Sequence, residues 1–175
     1  KTHLASDYLT KFARLIRLIL ENSKNETITL EKELDTLKLY LLMESLRFED
    51  KFEYHIQIEE GIELEEICIP PLIIQPFVEN AIWHGLLHRT SKGKLEINIF
   101  QKSNQLSIEV IDDGIGREKS ATYKNIKHES RKSYGIEITK QRILSLNKQN
   151  TIEIIDLKNG VEPIGTKVQI TLLLF

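Results

Sequence analysis

Apolar side chains recur at helical spacing from residue 4 to about 22: Leu4, Tyr8, Phe12, Leu15 and Ile19, with Ile16 and Leu20 widening the face. Ser23-Lys24-Asn25-Glu26 breaks that pattern. A second helix is predicted from about Leu30 to Phe48, with Leu34, Leu37, Leu41 and Leu42 on one side. Thr29 is its expected N-cap, and Glu31 and Glu33 place negative charge where the helix dipole favours it. The period then changes to two. Phe52, Tyr54, Ile56 and Ile58 alternate with polar residues, which predicts a strand. Pro70-Pro71 opens a predicted helix running to about Arg89, in which Pro76 bends the helix or resets its start. Lys94 to Lys102 and Gln105 to Asp112 read as strands around a Ser103-Asn104 turn. Helix returns from Gly135 to Leu146. Thr151 to Leu157 and Lys167 to Leu174 read as strands joined by a loop with Asn159-Gly160 and Gly165. The order predicts an α/β fold, a two-layer α/β sandwich with a mixed sheet, preceded by a helical segment. We divide the chain into residues 1–48, a helical hairpin, and residues 49–175, the sandwich. The hairpin fits either the edge of one globular domain or the end of a dimerisation module.

Composition narrows the class. The 175 residues are 41% hydrophobic, enough for a sizeable core. Net charge is -2, which argues against a dedicated nucleic-acid binder. No apolar run approaches the roughly 20 residues of a membrane-spanning helix. The chain starts at Lys1 without a signal-peptide pattern and reads as a piece of a longer protein. Its one cysteine, Cys68, cannot form an internal disulfide, so a reducing, cytoplasmic setting fits. Cys68 lies in an apolar stretch and is expected to be a small core residue.

Polar residues placed against this pattern carry the chemistry. Asn80 sits on a helix lined by Leu72, Ile73, Phe77, Val78, Ala81 and Ile82. An amide beside such a face needs hydrogen-bond partners or a ligand, and its oxygen suits magnesium. An exposed helix asparagine is the plainer alternative. Glu79 is a second polar contributor or a solvated glutamate. His84 lies one turn after Asn80 and either lines the same site or is a packed or surface histidine. Asp112-Asp113-Gly114-Ile115-Gly116 ends the run Leu106, Ile108, Val110. A carboxylate at a strand end can accept from an adenine amino group, and Gly114 and Gly116 let backbone approach a ligand. A simple turn is the alternative. Residues 117 to 134 are polar and basic without apolar periodicity, as in a functional lid or a disordered stretch. Ser133, Gly135 and Ile136 follow, with Gly135 opening a helix whose N-terminus favours phosphate. Thr166 enters the last strand and can share a water with Asp112 and the base.

Taken in order, these blocks resemble the N box (Gln75 to Gly85) and G1 box (Asp112 to Gly116) of the GHKL ATP-binding fold. Over nearly the whole chain they resemble a LytS-type sensor histidine kinase. The resemblance rests further on Leu39-Tyr40 through Glu44, Arg47-Phe48, Ile69-Pro70-Pro71-Leu72, Gly135-Ile136 with Arg142-Ile143, and Gly165-Thr166. It implies a Bergerat fold binding ATP and Mg2+ under a mobile lid at about 117 to 134. It implies a protein histidine kinase with Asn80 and Glu79 as catalytic residues and Asn80 as the metal ligand. Asn80, His84, Asp112, Gly114, Gly116, Ser133, Gly135, Ile136 and Thr166 would bind the nucleotide. The γ-phosphoryl group would pass to a histidine of the dimerisation helices and on to an aspartate of a response regulator, often of LytTR type. Membrane attachment would come only through an upstream part, and direct nucleic-acid contact is not expected.

The sequence departs from the pattern in places. No Asn-Pro-His-Phe-like acceptor segment is present, which places the acceptor upstream of Lys1. Ser133 replaces the first glycine of the G2 region. Trp83 stands where many histidine kinases carry a basic residue. Pro76 occupies the position of the water-activating glutamate of gyrase-like ATPases, so phosphoryl transfer fits better than hydrolysis. A nucleotide-binding interaction module without kinase activity and an anti-sigma-type serine kinase are the alternatives.

Overall fold

In the computed structural model, residues 2–49, 51–120 and 134–174 are described. Helix α1 spans Thr2–Ser23 and α2 spans Leu30–Arg47. Thr29 caps α2 as expected, its hydroxyl accepting from the Lys32 N–H at 3.3 Å. Helix α2 turns Leu34, Leu37 and Leu41 inward as predicted. Leu42 is only half-buried, and Leu30, Tyr40 and Met43 share the core instead. A buried bond from Asn22 Nδ2 to Thr36 Oγ1 (2.9 Å) ties α1 to α2.

The chain divides into two compact units, residues 1–50 with 63–73, and residues 51–62 with 74–175. In the first, β1 (Ile28–Thr29) pairs antiparallel with β3 (Cys68–Ile69). Segment 63–73 therefore belongs to the unit of the helices and not to the sandwich expected over residues 49–175. Alternation along β3 buries Ile67 and Ile69 and turns Cys68 outward, so Cys68 is exposed rather than a core residue. Glu33, itself buried, accepts from the Leu72 and Ile73 N–H groups at 2.7 and 2.9 Å. Leu72 has φ +59°. That left-handed residue breaks the helix predicted to begin at Pro70. Helix α3 begins only at Gln75, with Pro76 in its first turn, where its missing N–H costs nothing.

The second unit is a five-stranded mixed sheet in the order β2-β4-β5-β7-β6. Its strands are β2 (Phe52–Ile58), β4 (Gly93–Lys102), β5 (Gln105–Asp112), β6 (Thr151–Asn159) and β7 (Glu162–Leu173). Only β2 and β4 pair in parallel. One face carries Leu95, Ile97, Ile99, Leu106, Ile108, Val110, Ile170 and Leu172, all buried. Each such side chain contributes about 1.5–3 kcal/mol by leaving water. Residues of α3 and its continuation (Phe77, Val78, Ala81, Ile82, Leu86) and Ile143 of α4 (Tyr134–Leu146) are buried with them. Glu53, His55 and Gln57 on the opposite face of β2 are exposed, the polar alternation of a sheet covered on one side. Strand β7 starts five residues before its predicted start at Lys167 because an irregular register at Leu157/Lys158 carries the β6–β7 ladder past Gly165.

Candidate nucleotide site

The floor of the site is the end of the sheet. Asp112 on β5 pairs with Thr166 on β7, and Thr166 pairs with Asp156 on β6. The next row inward is Val110, Val168 and Ile154. One transverse row is therefore polar and the row beneath it apolar. Opposite stands α3 (Gln75–Asn80). Beyond Asn80 the helix widens into a π-turn, Ala81–Gly85, in which the Leu86 N–H reaches both Ala81 and Ile82 carbonyls. A π-turn is rare and frequently marks a functional site. It ends on Gly85.

Glycines let these two elements meet. A Cβ on Gly85 would lie 2.7 Å from Asp112 Oδ1, and one on Gly114 would lie 2.5 Å from the Gly85 Cα. Gly165 has φ +145°, and a Cβ there would overlap the Asp112 carbonyl oxygen. These three positions have no room for a side chain. Gly116 has φ +77° and packs on Pro163. Gly114 thus serves close packing beneath the cleft, and Gly116 lines the cleft itself.

A cleft results, lined by Asn80 and His84 from the helix and its π-turn, Asp112 and Thr166 from the sheet, and Gly116 and Ile136 beside them. Six of the ten residues singled out from sequence are brought together. Glu79 is not among the lining residues; it accepts from Gln75 Nε2 at 2.8 Å. Gly135 is exposed and also outside the lining set. Ser133, with most of the segment read as a lid, lies outside the described residues. Phe77, Gly85, Arg117, Ser120, Ile154 and Val168 also line the cleft. Of these, Phe77 and Val168 had a signal in the apolar alternation. The place of Arg117 depends on tertiary packing that no local pattern shows.

The electrostatics separate the paired aspartates. Burial pushes the Asp112 carboxyl up to about 7, against the opposing pull of backbone hydrogen bonds from Gly114 and Thr166. Its Oδ1 accepts from the Gly114 N–H at 2.8 Å. Asp113 instead braces the scaffold. Its Oδ1 accepts from the Lys94 N–H at 2.7 Å, and Arg89 pairs with its carboxylate at 3.5 Å and donates to its carbonyl. Asn80 is half-buried, and its side-chain amide has no hydrogen-bond partner among the described residues. An amide on one wall can offer an oxygen to a hard cation, and a buried carboxyl on the floor can accept from a ligand's donor group. The apolar row beneath suits the face of a base.

The fold is that of histidine kinase catalytic domains. The catalytic domain of the histidine kinase ThkA aligns with a TM-score of 0.56 at 14% identity, over 84% of this chain and 93% of that one. The chain of ThkA in complex with the response regulator protein TrrA aligns with a TM-score of 0.54 at 13% identity, over 98% of this chain and 50% of that one. A family model described as histidine kinase matches residues 1–52. The sensor protein LytS of Oceanobacillus iheyensis is 38% identical over 66% of this chain and 19% of its own length. LytS of Staphylococcus epidermidis is 35% identical over 62% of this chain and 18% of its own length. Over the matched stretch the chain is similar to the LytS-type sensor histidine kinases. It spans about a fifth of the length of these curated relatives.

Proposed function

We propose that this chain is the ATP-binding catalytic part of a two-component sensor histidine kinase. It binds Mg-ATP in the cleft and passes the γ-phosphoryl group to a histidine upstream of Lys1. The bond from the γ-phosphorus to the bridging oxygen breaks, ADP leaves, and a phosphorus–nitrogen bond forms on the acceptor. The phosphoryl group then moves to an aspartate of a response regulator. One observation carries this reading: the Asn80 amide and the Asp112 carboxyl line the same cleft from opposite elements.

Asp112 accepts from the adenine amino group and Thr166 flanks it. Asn80 supplies an oxygen to magnesium, which when bound offsets phosphate charge. His84 and Ile136 line the path, with Gly116, and Gly114 keeps the floor low. Ser133 and Gly135 are assigned to phosphate binding, and Glu79 supports the helix beside Asn80. Pro76 lies in the first turn of α3 and offers no acid–base group, which favours transfer over hydrolysis.

The regulator is of LytTR type in this reading. A homodimer forms through the helices, supported by Leu9, Phe12, Ile16 and Leu20, a helical stripe exposed on α1. No described helix is long and apolar enough to cross a membrane. The part described here works in the cytoplasm, joined to the membrane only through upstream sequence, and makes no direct contact with nucleic acid.

Labelling with γ-labelled ATP tests the assignment. Residues 1–175 bind nucleotide but acquire no acid-labile, base-stable label. A longer chain that includes the upstream helix acquires it. Label on residues 1–175 alone would overturn the placement of the acceptor, and a longer chain that binds ATP without labelling would favour a binding module.

A further inference from the structure

Arg117 lines the cleft, although it was expected only as the first residue of a lid and not as a ligand contact. It follows Gly116 directly and opens a short helical turn over residues 117–120, closed by the Ser120 N–H on the Gly116 carbonyl at 3.1 Å. Its guanidinium is held in a fork. Nε and Nη2 each donate to an oxygen of Asp156 at 2.7 Å. Lys158 and Glu118 form a second link between the same turn and β6, at 2.9 Å. The other guanidinium donors have no partner among the described residues.

The strand register says which end of the cleft this arginine serves. Asp156 stands on the row of Thr166 and Asp112, two strands from Asp112, or about 10 Å at the usual strand spacing. A base that donates its amino group to Asp112 and lies along this row directs its far edge and sugar towards β6. We propose that Arg117, held in place by Asp156, is a nucleotide-contacting residue that binds the nucleoside moiety at the β6 end of the cleft. This rests on the ATP-binding reading above. Asp156 is the positioning residue, and its carboxyl is held below the usual carboxylate range by the Arg117 hydrogen bonds.

The geometry favours a ligand contact over a stability device. Half-exposed ion pairs contribute little to folding. A bidentate fork fixes the direction of the remaining donors before a ligand arrives, which lowers the ordering cost of binding.

Affinities of ATP, ADP and adenosine for the unaltered protein, Arg117→Ala, Asp156→Asn and the double variant decide it. Arg117→Ala is expected to weaken all three ligands by the same factor, roughly tenfold, with the melting temperature nearly unchanged. Asp156→Asn is expected to weaken binding by a smaller factor when Arg117 is present and by none when it is alanine. A structural role for the pair would not produce that dependence. Unchanged affinity in Arg117→Ala, a loss that grows with the number of phosphates, or an equal effect of Asp156→Asn in both backgrounds would each overturn the proposal while leaving the ATP site standing. Failure of the unaltered protein to bind ATP would overturn both.

Discussion

At the scale of single residues, Asp112 carries two demands that conflict. Burial favours its protonated form, while an adenine amino group favours the carboxylate. With a folded pKa of about 7 against an ordinary 3.8, the folded protein keeps a proton that the unfolded chain has lost between those values. Stability from this group is therefore present at low pH and lost as pH rises from about 4 to 7, by at most about 1.4 kcal/mol per pH unit. Urea midpoints across that range should fall less for Asp112→Asn than for the unaltered protein; parallel curves would contradict this. Nucleotide binding should expel the proton near pH 6.5, seen by calorimetry in buffers of different ionisation enthalpy and lost in Asp112→Asn. Asn80 makes a separate claim. Asn80→Ala should weaken ATP binding only when magnesium is present, because the amide has no structural partner among the described residues to lose. Equal affinity with magnesium would remove Asn80 from the site.

At the scale of elements, the close approach of the π-turn to the β5 end is testable by adding one methyl group. Gly85→Ala drives a Cβ against Asp112 Oδ1 and should cost about 1–3 kcal/mol with a matching loss of ATP affinity. Gly165→Ala should cost more, since the clash is with backbone. Gly160→Ala, where nothing lies within 4 Å of the added atom, should cost only the left-handed backbone strain of about 1–2 kcal/mol. Thermal melts should show the largest loss for Gly165→Ala, a smaller one for Gly85→Ala and the smallest for Gly160→Ala, and an equal effect at all three positions would contradict the close approach. Periodicity revealed α2 and its Thr29 cap, the β4–β5 hairpin and the inward row of β7, because each is set by local alternation. It missed β1 and β3, which are two residues each and exist only through their pairing. It missed the exposure of Cys68, because an apolar stretch does not say which way a short strand faces. It placed the site helix at Pro70 because the Glu33 hydrogen bonds to Leu72 and Ile73 come from 39 and 40 residues away. Within the site, Asn80 and Asp112 were legible as polar groups against apolar periodicity. The π-turn and the Arg117–Asp156 fork were not, since helix widening and ion pairing across long separations leave no repeat to read.

At the scale of the whole molecule, the proposed function requires that the cleft between the site helix and the sheet end take an adenine nucleotide. Guanine presents a carbonyl where adenine presents its amino group, so the Asp112 carboxylate, in the role proposed for it, would distinguish them. A hydrogen bond involving a charged group is worth about 1.5–3 kcal/mol, or roughly 10- to 150-fold in affinity. The most direct measurement is calorimetric titration of ATP and GTP, with magnesium at pH 8, into the unaltered protein and Asp112→Ala, alongside both melting temperatures. The unaltered protein is expected to prefer ATP by about that factor, and Asp112→Ala to lose the preference by losing ATP affinity. Equal binding of ATP and GTP by the unaltered protein, or an Asp112→Ala variant that changes only in stability, would contradict that expectation.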